Sequence, residues 1–162
     1  MNVDRRARLK ATGIRIFTRM LHRYFALTRG MTLGVRGACF DEQGRIFLVR
    51  HTYVPGWYLP GGGVEYYETA EEALEKELRE EGNLVMTERP KLFHAYFNRS
   101  ASKRDHVLLY RVNVIQTTPK IPDREIRESG FFSLDALPED SAASTRSRVA
   151  ELRGVHDPVN LW

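Results

Sequence analysis

A helix that packs on a core needs a continuous apolar stripe, and the stripe of residues 69–84 is interrupted. Ala70, Ala73 and Leu74 recur at helical spacing, and Leu84 resumes the line. Between them Glu77, Glu80 and Glu81 stand at i, i+3 and i+4 on the same arc, about 100° wide. A plain solvated helix would keep its charges in favourable i,i+4 pairs, as Glu72 with Lys76 and Glu75 with Arg79 are spaced to do. Three carboxylates on the arc that should enter the core repel one another, and burial raises that cost. A hard divalent cation, Mg²⁺ or Mn²⁺, offsets both effects. Just upstream, Gly61-Gly62-Gly63 lets the backbone approach a ligand or metal closely.

The rest of the chain reads as strands with two further helices. Residues 31–40 and 46–51 are expected strands, joined by a turn at Asp41–Gly44 in which glycine takes a positive φ. Trp57-Tyr58-Leu59 reads as a short third strand stopped by Pro60. Thr69 and Glu72 have capping-box spacing for a helix over 69–82. Further strands are expected at 91–98, 106–115 and 131–134, and a closing helix at 142–153. Residues 13–28 carry helical periodicity, with Ile16, Phe17, Met20, Leu21, Tyr24 and Phe25 on one half and Arg15, Arg19, His22 and Arg23 on the other. This order predicts an α+β fold, a mixed β-sheet sandwiched by helices, with an extra N-terminal amphipathic helix. Two parts are expected: a basic arm over 1–30 and a domain over 31–162.

The chain of 162 residues suits one core. Cys39 is its single cysteine, which excludes an internal disulfide and fits a reducing, cytoplasmic setting. The net charge is +4, yet residues 1–30 hold eight arginines and lysines against Asp4 alone, so the remainder is net acidic. That placement argues against nucleic acid as a partner of the domain.

Residues 62–84 resemble the signature of the Nudix hydrolases, G-x5-E-x7-R-E-U-x-E-E-x-G-U with U aliphatic. Gly62, Glu68, Glu77, Leu78, Glu80, Glu81 and Leu84 match, seven of the nine specified positions. The lead-in Trp57–Gly63 and the segment 125–138 resemble the family as well. Lys76 replaces the usual arginine, keeping the charge without the rigid fork. Asn83 replaces a glycine at a left-handed position, for which asparagine is next best, and Gly82 beside it is a rival cap. Tyr67 stands where many members have glycine.

The resemblance implies a Nudix-like α/β/α sandwich and metal-dependent cleavage of a pyrophosphate linkage in a nucleoside diphosphate joined to another moiety. It implies Glu80 and Glu81 as metal ligands, with the Gly62 carbonyl and Glu77 beside them. Glu77, Glu81 or Glu125 is the implied base, Lys76 the residue that holds a catalytic glutamate, and Glu68 the support behind the ligands. Glu128 and Asp105 rival Glu125. Arg50 and His51 end a strand near the glycine loop and suit phosphate. Trp57, Tyr58, Phe93, Tyr96 and Phe97 suit stacking on a ring. Two other functions stay open: a catalytically weak nucleotide-sensing module of the same fold, and a pyrophosphohydrolase acting on RNA 5′ ends. The basic helix suits packing against its own domain or a second copy of the chain, or a membrane surface, and residues 5–29 share the composition of a transit peptide.

Overall fold

In the computed structural model, which describes residues 18–25 and 28–162, six strands form one mixed sheet. They are β1 (Thr32–Phe40), β2 (Ile46–His51), β3 (Leu84–Met86), β4 (Lys91–Phe97), β5 (Asp105–Gln116) and β6 (Ile126–Phe132). The order is β3-β5-β1-β2-β6, with β4 also on β5. β5 runs parallel to β1 over the whole of β1, and the other pairings are antiparallel. Two helices flank it, α1 (Ala70–Gly82) and α2 (Ala143–Leu152).

Strand alternation sends successive side chains to opposite faces, and each face has its own core. Val35, Cys39, Phe47 and Val49 meet Ala73, Leu74 and Leu78 of α1. Ala38, Phe40, Ile46 and Leu48 meet Trp57, Tyr96 and Val149 of α2. The sandwich is therefore written in the two-residue period of β1 and β2.

β1 and β2 pair at Phe40 and Ile46, beside a turn in which Gly44 has φ 72°. Farther along, residues 57–64 lie between them and bond to both. Val49 and Tyr58 exchange backbone bonds of 2.9 and 2.8 Å. On the other side Gly37 N donates to Pro60 O, Val35 N to Gly62 O and Val64 N to Leu33 O, each at 2.9 Å. The expected strand at 57–59 is thus no strand: Trp57 and Tyr58 make single bridges, to Ser141 and Val49, before Pro60 and Gly61 turn the chain.

α1 begins with the expected capping box: Thr69 Oγ1 accepts from Glu72 N, and Glu72 accepts from Thr69 N. It ends at Asn83, which is left-handed with φ 52°, so Asn83 and not Gly82 is the cap. β6 runs from Ile126 to Phe132 instead of 131–134, because its partner is all of β2 and its outer positions are polar. β3, three residues long, was not expected as a strand.

Of the N-terminal helix expected over 13–28, residues 18–25 and 28 are helical, and 13–17 and 26–27 lie outside the described residues. Met20 and Tyr24 of its apolar half are exposed. Among the described residues no helix is long and apolar enough to cross a membrane.

Candidate active site

The last turn of α1 rests on the inserted segment 57–64. Glu81 is 7% exposed and accepts a 2.7 Å hydrogen bond from Gly61 N. A Cβ built on Gly62 would overlap the Glu77 carboxylate, so glycine lets that carboxylate lie against the backbone. Gly61 has φ 138° and passes so close to Val35 O that no side chain fits there. The glycine run was expected to approach a ligand or metal; the close approaches here are to the Glu77 carboxylate and the Val35 backbone. The Gly62 carbonyl accepts from Val35 N, which leaves a second lone pair for a ligand.

The electrostatics follow from that burial. Desolvation pushes the Glu81 carboxyl up to about 7, with the charges of Glu77 and Glu125 adding to it against the Gly61 bond and Arg36. Glu77 is raised too, first by desolvation and then by Glu80 and Glu125, with Lys76 and Arg36 opposing. His51 Nε2 lies 3.8 Å from Glu81 Oε1, while burial and Arg36 lower the His51 pKa. The neutral ring is favoured, so this contact is no ion pair at neutral pH. His51 Nδ1 is buried without a partner.

Lys76 reaches Glu68 at 3.1 Å and Glu77 at 4.0 Å. Glu68 in turn accepts from Glu65 N. Neither i,i+4 pair of the helix forms an ion pair: Glu72 is taken by the cap, Lys76 turns to Glu68, and Arg79 has no carboxylate within 4.0 Å among the described residues.

Glu77, Glu80, Glu81 and Glu125 border one cavity of about 580 Å³. The connector between β5 and β6 forms its far side with Lys120, Asp123 and Arg124. Among the described residues no three His, Cys, Asp or Glu side chains already stand close enough to enclose an ion. The donor chemistry nonetheless fits a hard divalent cation, since every candidate is an oxygen donor and neighbouring carboxylates add to the raised pKa values of Glu77 and Glu81.

The other sequence candidates fall elsewhere. Arg50 points to the α2 side, where it meets Asp140 at 2.5 Å and Glu128 at 3.6 Å. Trp57 is 7% exposed, edge-on to Phe132 in the α2-side core, because the bond from Ala142 N to Trp57 O fixes it against the start of α2. Tyr58 is half-buried, its hydroxyl on Pro55 O and its ring 6.0 Å from His51. Phe93 and Tyr96 belong to the same core as Trp57, and Phe97 stacks on His106. Asp105 accepts from Thr32 Oγ1 and Asn98 Nδ2.

Sequence reasoning passed over Arg36. Its guanidinium donates to Gly61 O and to Val35 O, and it is felt by Glu77, Glu81 and His51. The one available signal was a lone charge inside the apolar run of 31–40.

Comparison with known proteins gives a consistent frame. The family model described as the NUDIX domain matches residues 30–152. The chain is 33% identical over 104 residues to an ADP-ribose pyrophosphatase of Methanocaldococcus jannaschii, a match covering 61% of this chain and 60% of that protein. The chain thus spans less than two thirds of the length of that relative. A MutT NUDIX hydrolase from Burkholderia pseudomallei superposes with a TM-score of 0.64 at 25% identity, over 75% of this chain and 97% of the other. An ADP-ribose pyrophosphatase from Streptococcus suis gives 0.58 at 24% identity, over 76% and 92%, a likeness of fold.

Proposed function

The chain belongs to the Nudix hydrolase family, and from that premise we propose that it is a pyrophosphohydrolase cleaving a nucleoside diphosphate linked to a further group. The observation that carries the reading is the seating of α1: Glu81 buried on Gly61 N and Glu77 lying against Gly62, with Glu80 and Glu125 on the same cavity. When bound, a divalent cation supplies charge neutralisation at the phosphates and a more acidic water.

Glu80 and Glu81 would hold that cation, with Glu77 and the Gly62 carbonyl beside them. One carboxylate of the cavity, Glu77, Glu81 or Glu125, takes the proton of the attacking water. The water oxygen bonds to phosphorus, the bridging P–O bond breaks, and the electron pair leaves with the departing phosphate. Lys76, paired with Glu68, keeps a positive charge at the Glu77 end of the cluster. Arg36 ties β1 to the Gly61 carbonyl and lies in the field of Glu77 and Glu81.

The sequence relative's name puts ADP-ribose first among compounds to try, followed by nucleotide sugars, dinucleoside polyphosphates and nucleoside triphosphates. The test is a panel of these with Mg²⁺ or Mn²⁺ and a metal-free control, run on the wild type and on Glu81→Gln. Metal-dependent cleavage that falls at least about a hundredfold in the variant is expected. An unchanged rate in Glu81→Gln would remove Glu81 from the site, and no cleavage of any compound would remove this substrate class.

A further inference from the structure

Asn83, one of the two departures from the family signature, does more than end α1. Its side-chain amide donates to Thr118 Oγ1 at 3.2 Å, with Thr118 O and Pro119 O at 3.4 and 3.5 Å. Its carbonyl accepts from Thr117 N and Thr117 Oγ1 at 3.0 and 3.1 Å. A glycine could cap the helix but could make none of the side-chain bonds. The residue that closes α1 is therefore also where the β5–β6 connector is fastened at its start, while Thr52 holds its far end by donating to Arg124 O at 2.6 Å and Glu125 O at 2.9 Å.

Past that fastening the connector folds on itself. Asp123 accepts from Lys120 Nζ at 2.5 Å and from Glu125 N and Ile126 N at 2.8 Å. Lys120 is thereby neutralised, and Arg124 is carried along the cavity as an exposed guanidinium. Arg124 has no carboxylate within 4.0 Å among the described residues, and the same holds for Arg79 on α1. Both border the cavity that holds the four glutamates. Two unpaired guanidiniums beside a bank of carboxylates suit a ligand that is anionic and brings its own cation.

We propose that Arg79 and Arg124 form an anion subsite for the phosphoryl oxygens of the substrate, and that Asn83 is the positioning residue that holds the Arg124 wall in place. The subsite rests on the function proposed above, but concerns how the pyrophosphate is held rather than how it is cut. A guanidinium fork matches two phosphoryl oxygens, and charge-assisted bonds of this kind are the stronger ones. Asn83 acts through the connector and touches no substrate.

The test uses α,β-methylene ADP, whose P–C–P link resists hydrolysis, with Mg²⁺ present. Binding is measured by calorimetry to the full chain and to Arg124→Met, Arg79→Met, Asn83→Gly and Thr118→Val. Each variant is expected to weaken binding about fivefold to tenfold. Asn83→Gly keeps the left-handed cap, so a fold defect does not mask the result. Asn83→Gly combined with Thr118→Val is expected to be no worse than Asn83→Gly alone, since the bond to Thr118 Oγ1 is already lost there. On a cleaved substrate, KM rises in Asn83→Gly while kcat changes little. Mn²⁺ affinity, measured without nucleotide, stays within about twofold of wild type.

Unchanged affinity in Arg124→Met and Arg79→Met would overturn the subsite. Unchanged affinity in Asn83→Gly would overturn its positioning role, as would a loss of Mn²⁺ affinity there, which would place the effect on Glu81. A wild type that binds the probe but cleaves nothing would overturn the proposed substrate class alone, and the affinity series would still decide the subsite.

Discussion

At the residue scale, Glu81 is the most informative group because its environment works against its charge. It ionises near pH 4.5 in the unfolded chain and at about 7 in the fold. Between those values the folded protein keeps a proton that the unfolded chain has released. The contribution of Glu81 to stability therefore falls as pH rises through this window and stays lost above it, by on the order of 3 kcal/mol. A divalent cation replaces the proton, so thermal stabilisation by Mg²⁺ or Mn²⁺ is expected to grow from about pH 5 to about pH 8. Glu81→Gln should be more stable than wild type without metal at the upper end, with little response to metal. A metal-induced shift equal at both ends would mean that Glu81 is not a ligand. The glutamates were legible in the sequence because the helical period puts them on one arc. Arg36 was harder to read, since its bond to Gly61 O depends on an insertion between strands that no local pattern announces.

At the element scale, adjacent glycines of the inserted segment do different work, and one substitution at each separates them. Alanine at Gly62 meets the far end of the flexible Glu77 side chain, which can move. Gly62→Ala is expected to fold with a stability loss of about 1 kcal/mol or less, while activity falls about a hundredfold from the displaced carboxylate. Alanine at Gly61 meets the Val35 backbone, at a φ of 138°. Gly61→Ala should lose several-fold more stability, read from denaturant midpoints. Equal losses at the two positions would contradict this division. The capping box of α1 was legible from Thr69 and Glu72, whose partners lie within one turn. β3 and the first half of β6 were not, since three residues carry no period and the exposed positions of β6 are polar.

At the scale of the whole molecule, the two faces of the sheet are held differently. The α1 face is apolar up to the carboxylates, whereas the α2 face encloses an ion pair. Arg148 and Glu151, 1% and 3% exposed, meet at 2.8 Å, and Glu151 also accepts from Tyr96 Oη at 2.6 Å. The Arg148 guanidinium lies 4.1 Å from the Tyr96 ring centroid and donates to Leu161 O. Arg148→Met would strand a buried carboxylate and is expected to cost about 3–5 kcal/mol in urea unfolding. A loss below about 1 kcal/mol would show that the pair is not needed to hold α2 on the sheet. Composition and the order of elements made the sandwich legible, but the Tyr96–Glu151 bond that ties this pair to β4 spans 55 residues of chain and leaves no local trace.

The insertion between β1 and β2 also bears on how a lineage of such chains can change length. Residues 57–64 bond to a strand on either side, so a residue gained or lost there would shift one set of bonds against the other. The turns at 52–56 and 99–104 carry no such double obligation. A change of length is therefore expected to cost less stability in those turns than within residues 57–64.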